Sequence, residues 1–305
     1  MLFQIIHPAE ALRPYITRYV FVRAEGSTDT MTPPAGDPRF VNGKHVQPLL
    51  PNYGSFIFMR NVLAEFNSAS SLTSNSASGL TSNNTNMVQA DGLTLLGANL
   101  RMIGLTTLSG WFEGMLLDFE PGGMHALAGI DLQQLAGKVV PAVEYGDAGL
   151  VQLDLLFKSH ARAEDISVLL DAFFLGHLPR KEDYNYTRLR KVIAACDAAR
   201  GDISASDMAS AACLGERQFL RVFRQYIGIP PKQFVRLRRF HRALQQMQQT
   251  AAAGKPIDLL AIALEHGYYD LSHMAQEFRL MGCVSPGQFR ALGIPLSDDF
   301  SVFFA

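Results

Sequence analysis

Glu216-Arg217-Gln218-Phe219-Leu220-Arg221-Val222-Phe223-Arg224-Gln225-Tyr226-Ile227-Gly228-Ile229-Pro230-Pro231-Lys232-Gln233-Phe234 decides the fold, because the chain repeats its skeleton. Phe223 recurs as Phe278, 55 residues on, and the same offset carries Arg224 onto Arg279, Pro231 onto Pro286, Gln233 onto Gln288 and Phe234 onto Phe289. Two copies are too few for a solenoid, which needs about three or more. They suit two small helical modules placed side by side.

Each copy reads as helix, tight turn, helix. In the first, Ser206-Asp207 is the predicted N-terminal cap, Met208, Ala209 and Ala212 share one face, and Cys213-Leu214-Gly215 makes the turn. A second helix over about Glu216 to Tyr226 turns Phe219, Val222 and Phe223 inward at helical spacing. In the second copy Leu260, Ala261 and Leu264 form the predicted inward face, His266-Gly267-Tyr268 turns, and Asp270 caps a helix with Met274, Glu277 and Phe278 on or near its buried side. This is the helix-turn-helix unit, whose second helix enters the DNA major groove.

The residues resemble the AraC-type bacterial transcription regulators. The likeness runs over Met208-Ala209, Gly215-Glu216-Arg217-Gln218-Phe219, Phe223 and Gly228-Ile229-Pro230-Pro231-Lys232-Gln233-Phe234, and again over Leu260-Ala261, Gly267 to Met274, Phe278 and Val284-Ser285-Pro286-Gly287-Gln288-Phe289. Phe234 to Ala243, with Arg239 and Ala243, is similar to the helix that links the two units in that family. The resemblance covers roughly Thr187 to Leu292. Cys213 stands where the family has a turn glycine, Gly215 where it has a Ser cap, and Cys283 where it has a second glycine. A left-handed backbone is cheap for Gly and costly for other residues. The resemblance implies a cytoplasmic regulator of transcription, more often an activator, working with RNA polymerase, whose N-terminal region binds an effector or dimerises.

Outward from this module the composition changes. From Thr187 onward fifteen Lys and Arg stand against ten Asp and Glu, a net of +5; the preceding part has twelve against eighteen, a net of −6. A basic half joined to an acidic one suits a phosphate-backbone binder. In the first half, Tyr15 to Val22, Gly54 to Met59, Leu93 to Ala98, Ile103 to Thr107 and Trp111 to Phe119 read as strands. Met124 to Ile130, Asp131 to Leu135, Gly149 to His160 and Ala163 to about Leu175 read as helices. The Pro- and Gly-rich stretch Thr32 to Pro51 reads as a connection, and Asn67 to Asn86, nearly all Ser, Asn, Thr, Ala and Gly, as a loop that buries too little apolar surface to order itself. Leu49-Leu50-Pro51 and Phe119-Glu120-Pro121-Gly122-Gly123 resemble an uncharacterised N-terminal domain fused to AraC-type modules.

The expected fold class is therefore α+β. Residues 1–175 form a partly β-rich effector-binding or dimerisation domain, for which a barrel-like arrangement is the expectation. Residues 176–186 are the linker, 187–292 an all-α domain with two helix-turn-helix units on a linking helix, and 293–305 a tail. At 305 residues two cores are affordable in length. The three cysteines, Cys196, Cys213 and Cys283, are scattered and odd in number, which reads as reduced thiols rather than a disulfide frame or a zinc site. No apolar run of about 18 or more residues is present to span a membrane, and no basic-then-apolar leader opens the chain.

Base edges specify and phosphates position. The expected base-contacting residues are Arg217, Gln218, Leu220 and Arg221 in the first unit and Leu271, Ser272, His273 and Gln276 in the second. Arg suits guanine and Gln adenine, and Leu meets a thymine methyl. Arg224, Lys232, Arg236 and Arg279 are the expected phosphate contacts; of Arg238, Arg239 and Arg242, one is expected in an internal ion pair. The linking helix, about Lys232 to Gln248, is roughly 25 Å long at ~1.5 Å per residue, against about 34 Å between successive major grooves. Catalysis finds no support: the eight His are dispersed with no His-Glu-x-x-His spacing, and no Gly-x-Ser-x-Gly elbow or phosphate-cradling loop occurs. No enzyme, cofactor or metal is expected. The partners expected are double-stranded DNA, RNA polymerase, a small-molecule effector for which Phe56, Phe58, Trp111, Phe112 and Met115 would line an apolar pocket, and a second copy in a homodimer. A protein-interaction module is the rival reading of the first half.

Overall fold

The computed structural model describes residues 2–25, 40–41, 44–49, 52–60, 64–68, 85–88, 92–100, 103–107, 111–159, 163–282 and 285–291. Among the described residues the first half holds eleven strands: β1 (Leu2–Ile6), β2 (Ile16–Glu25), β3 (Phe40–Val41), β4 (Lys44–Leu49), β5 (Ser55–Arg60), β6 (Ala64–Ser68), β7 (Thr85–Val88), β8 (Gly92–Leu96), β9 (Ile103–Thr107), β10 (Trp111–Phe119) and β11 (Val139–Pro141). They form two antiparallel sheets, ordered β1-β2-β10-β5-β8-β11 and β3-β4-β9-β6-β7. Each sheet has two edges, so the barrel-like expectation is corrected: the strands do not close. β3 and β4 lie inside the stretch read as a connection, because Pro48 is compatible with pairing at a place where periodicity is too short to show.

Register in the larger sheet is set by a buried polar cluster. Asp118 faces Arg18 across one ladder and Ser55 across the other. The Arg18 Nε donates to Asp118 Oδ2 at 2.8 Å and the Ser55 hydroxyl to Oδ1 at 3.2 Å. A one-residue slip would strand the carboxylate away from its partner, a loss of about 3–5 kcal/mol. Below the sheet, Phe56, Phe58, Met115, Leu117 and Phe119 are buried against α4 (Ala148–Ser159) and α5 (Ala163–Gly176). Phe58 lies 4.3 Å from Phe157 and Phe56 lies 5.0 Å from Phe119, centroid to centroid. Asp171 of α5 accepts from the Tyr19 hydroxyl and the Ala9 amide, tying that helix to β2.

Three short helices precede these: α1 (Gly123–Ala128), α2 (Leu132–Leu135) and α3 (Ala142–Tyr145). The second half is all helix: α6 (Tyr184–Ala198), α7 (Ala205–Ala211), α8 (Glu216–Ile227), α9 (Pro231–Ala252), α10 (Leu259–Glu265), α11 (Leu271–Gly282) and α12 (Pro286–Ala291). α7 starts two residues earlier than the Ser206-Asp207 cap expected. Ser204 is the cap, and Asp207 closes a capping box by accepting from its amide and hydroxyl. In α10 the buried pair is Ile262 and Ala263, while Leu260 and Leu264 are half exposed. That segment is apolar nearly all round, so composition alone does not choose its inward face. Phe219, Phe223, Phe234, Phe240 and Phe278 are fully buried; the Phe289 side chain and Cys283 lie outside the described residues.

The two halves share a buried seam. α1 and α2 pack on α8, where the His125 and Tyr226 rings lie 4.0 Å apart. Tyr186 stacks on Tyr15 at 5.1 Å and donates its hydroxyl to the Pro14 carbonyl at 2.6 Å. Tyr53, just before β5, belongs to the same buried cluster as Phe234 and contacts both Phe234 and His241. Gly228, at φ 84, ends α8 under Leu132, whose carbonyl oxygen would lie 2.8 Å from an added Cβ. Between α5 and α6, where a linker is expected, Asp183 already caps α6 through the Asn185 and Tyr186 amides and accepts from the Tyr226 hydroxyl.

Cys213 adopts φ 52 in the turn between α7 and α8. The left-handed backbone costs a non-glycine residue roughly 1–2 kcal/mol, less the ~0.4–1 kcal/mol of freedom that Gly adds to the unfolded chain. Cys213→Gly is therefore expected to stabilise by about 0.5–1 kcal/mol, read as a higher urea midpoint at unchanged slope. An unchanged or lower midpoint would show that the turn is not strained.

Candidate nucleic-acid interface

α8 owes its exposed face to the strict inward spacing of Phe219, Val222, Phe223, Tyr226 and Ile227, all buried. What remains on the other side is Glu216, Arg217, Gln218, Arg221 and Arg224, all exposed, with Leu220 half-buried among them. None of the three arginines joins an ion pair among the described residues. Gly215 is the cap residue and offers no side-chain acceptor. The first turn of α8 therefore presents backbone donors with Arg217 outward, and Arg221 follows one turn later.

α11 is built differently. Asp270 caps it by accepting from the His273 amide at 2.7 Å. Leu271, Ser272, Gln276 and Arg279 are exposed, whereas His273 is only partly so. The Tyr269 amide donates to His273 Nδ1 at 3.2 Å, which leaves Nε2 4.0 Å from the Glu277 carboxylate. Of the eight residues expected at base edges, all but Leu220 and His273 are exposed. The second face carries one arginine and two apolar or small side chains at its start, so it is the less cationic of the two.

The basic side chains of α9 separate into two sets. Arg238 and Arg242 both pair with Asp197 of α6. Arg239 donates to the Gly267 carbonyl, lies 4.8 Å above the Tyr268 ring and reaches Glu277 at 3.4 Å. One internal ion pair was expected among these three; all three are engaged. Arg236, expected on a phosphate, gives its Nε to Glu277 at 2.7 Å with its side chain 31% exposed. Lys232 is exposed. Glu277 itself is buried on α11, as its spacing beside Met274 and Phe278 predicts; the arginines that pair with it leave no such signal.

Two hollows flank Arg236. One, of about 390 Å³, is lined by Arg236, His273, Gln276, Glu277, Arg279 and Leu280. The other, of about 690 Å³, lies between the start of α7, the first turns of α9 and α11. In the first half, Phe56, Phe58 and Met115, expected around a ligand, are packed into the sheet-helix core. Trp111 and Phe112 open β10, and their side chains lie outside the described residues. Among the described residues no group of three or more His, Cys, Asp or Glu is placed to hold a metal, and no helix is long and apolar enough to cross a membrane. Cys196 and Cys213 are free thiols, and burial pushes the Cys196 thiol up to about 11.

Residues 208–292 match the family model described as a helix-turn-helix domain. An uncharacterized HTH-type transcriptional regulator of Haemophilus influenzae is 33% identical over 102 residues, covering 32% of each chain. The HTH-type transcriptional regulator MtrA of Neisseria gonorrhoeae is 29% identical over 119 residues, 39% of this chain and 34% of that protein. The chain thus spans about a third of the length of the curated relatives it matches. Among solved structures, ToxT of Vibrio cholerae aligns with 11% identity over 89% of this chain and 96% of its own, at a TM-score of 0.45. A ToxT structure with bound unsaturated fatty acid aligns with 13% identity over 81% and 90%, at 0.44.

The paired and unpaired cations separate in experiment. Asp197→Asn is expected to cost about 2 kcal/mol of folding stability, the scale of a charged hydrogen bond, because Arg238 and Arg242 lose their shared partner. DNA affinity measured well below the melting temperature should be unchanged. A loss of affinity without a loss of stability would put Arg238 or Arg242 on the nucleic acid instead.

Proposed function

We propose, from the match of residues 208–292 to a helix-turn-helix domain, that this chain is an AraC-type, sequence-specific regulator of transcription that seats α8 and α11 in successive major grooves of one duplex. The observation that carries the reading is the pair of second helices, each with an exposed polar face, mounted on one connecting helix. α9 (22 residues) packs α8 through Phe234 and α11 through Phe240, so both second helices are mounted on one rigid support. Arg217, Gln218, Leu220 and Arg221 then read base edges in one groove, and Leu271, Ser272, His273 and Gln276 in the next. Arg224, Lys232, Arg236 and Arg279 hold the backbone. The uneven charge of the two faces favours guanine-directed contacts from α8 and methyl- and adenine-directed contacts from α11.

The first half is the regulatory part of this reading. Its support is the seam with the DNA-binding half: α1, α2 and Tyr53 touch α8 and α9 themselves, so anything that shifts them shifts a reader. A small-molecule effector is the occupant proposed for that half, and activation through RNA polymerase the outcome; a dimerisation role is the second reading, for which the unclosed sheets leave strand edges to pair. A thermal shift separates the two, since a ligand at 100 times its Kd raises stability by about 2.7 kcal/mol, whereas dimerisation makes the melting temperature depend on protein concentration.

Selection of bound fragments from a random duplex pool, using the whole chain, tests the DNA reading. The expected product is a motif with two conserved blocks about one helical turn apart. Arg221→Ala should then cost ~1–3 kcal/mol and relax preference at one position in one block. Failure to enrich any motif would refute sequence-specific recognition, and an equal loss on every sequence would make Arg221 a backbone contact.

A further inference from the structure

We propose that Glu277 is a positioning residue for DNA: it turns Arg236 edge-on, so that the two terminal amino groups of that guanidinium meet a backbone phosphate between the two grooves. The proposal rests on the DNA-binding reading and adds a site and a role to it. A buried carboxylate on a recognition helix is unexpected on electrostatic grounds, because it repels the polyanion that the helix must approach. Glu277 is nonetheless the point where three side chains converge. Arg236 Nε lies at 2.7 Å, Arg239 at 3.4 Å and His273 Nε2 at 4.0 Å.

The geometry assigns different tasks to the two arginines. Arg239 is held on three sides, by Glu277, the Gly267 carbonyl and the Tyr268 ring. It neutralises the carboxylate and stays in the framework. Arg236 uses only its Nε, and its terminal amino groups have no hydrogen-bond partner among the described residues. Arg236 lines both hollows, the one along the outer face of α11 with Gln276 and Arg279, and the one reaching Lys232 and the start of α7. A phosphate seated there would meet a guanidinium with two parallel donors, the arrangement that suits phosphate oxygens. Lys232 stands on the same helix one turn earlier, exposed and ready to add a point charge. Because Arg236 belongs to the connecting helix and Glu277 to the second reader, the same pair also links the phosphate to the placement of α11.

Charge and position make opposite forecasts, which gives the test. Binding of the whole chain to a fluorescein-labelled random-sequence duplex is followed by anisotropy over a salt series, with thermal unfolding of each variant alongside. Removing a negative charge by Glu277→Ala should tighten DNA binding if charge alone matters; the proposal expects weaker binding on every sequence and a salt slope lower by about 1. Glu277→Gln keeps one acceptor for the Arg236 Nε without the charge, and should restore part of the affinity. Arg236→Ala should lower the slope by the same ~1 and, with the side chain partly exposed, leaves a folded protein even where Glu277→Ala does not. Equal or tighter binding by Glu277→Ala, or an unaltered slope in Arg236→Ala, would overturn the proposal. A wild-type chain that binds no duplex would instead refute the DNA reading on which it stands.

Discussion

Both helix-turn-helix units depend on one rod. The buried face of α9 carries Phe234, Val235, Leu237, Phe240, Ala243, Leu244 and Met247, and two different points on that face serve the two units. Phe234 meets Phe223 of α8 at 5.4 Å, and Phe240 meets Phe278 of α11 at 4.8 Å. The two Phe are six positions apart, about 9 Å of helix, and the five residues between them include no Gly or Pro to act as a hinge. The readers are therefore fixed relative to one another by close packing rather than by a flexible tether. Preorganisation of this kind lowers the ordering cost of binding two sites at once.

The polar side of the same rod explains why so many arginines do not make a uniformly basic surface. Asp197 engages Arg238 and Arg242, and Glu277 engages Arg236 and Arg239. Each acidic residue comes from a different neighbour, α6 on one side and α11 on the other, so the four arginines also brace the bundle. Of the residues proposed to contact DNA, the three arginines of α8, Lys232 and Arg279 join no ion pair among the described residues. Net charge is thus a poor guide to the binding surface; the division between paired and unpaired cations is the better one.

How much was legible depended on whether a residue's role is local. The inward faces of α8 and α11 follow from Phe and Met at helical spacing, and the repeat at 55 residues doubled that signal. β9 and β10 were read at their observed ends because β-branched and aromatic runs there are bounded by Gly and Ser. The Ser204 cap was missed in favour of Ser206, since both precede Asp207 and only the backbone distinguishes them. The inward face of α10 was misread because Leu, Ala and Ile occupy every side of it. Long-range roles left no trace: nothing about Tyr53 in its own neighbourhood says that it packs on Phe234 of a distant helix, and nothing about Glu277 says that two arginines converge on it. The candidate base readers were legible as a face, but which basic residues of α9 are free was not, because ion pairing is decided by elements far apart in the chain.

The central claim is that a single chain places two helices in two neighbouring stretches of major groove. Protection of guanine N7 and of the thymine C5–C6 bond on a selected duplex tests it most directly, since both lie in the major groove and together cover the guanine-directed contacts of α8 and the methyl- and adenine-directed contacts of α11. Two protected clusters on one face of the duplex, about one helical turn apart, with the cluster under α8 lost in Arg217→Ala and that under α11 kept, is the result the account requires. One cluster alone, or protection spread without a gap, would contradict it.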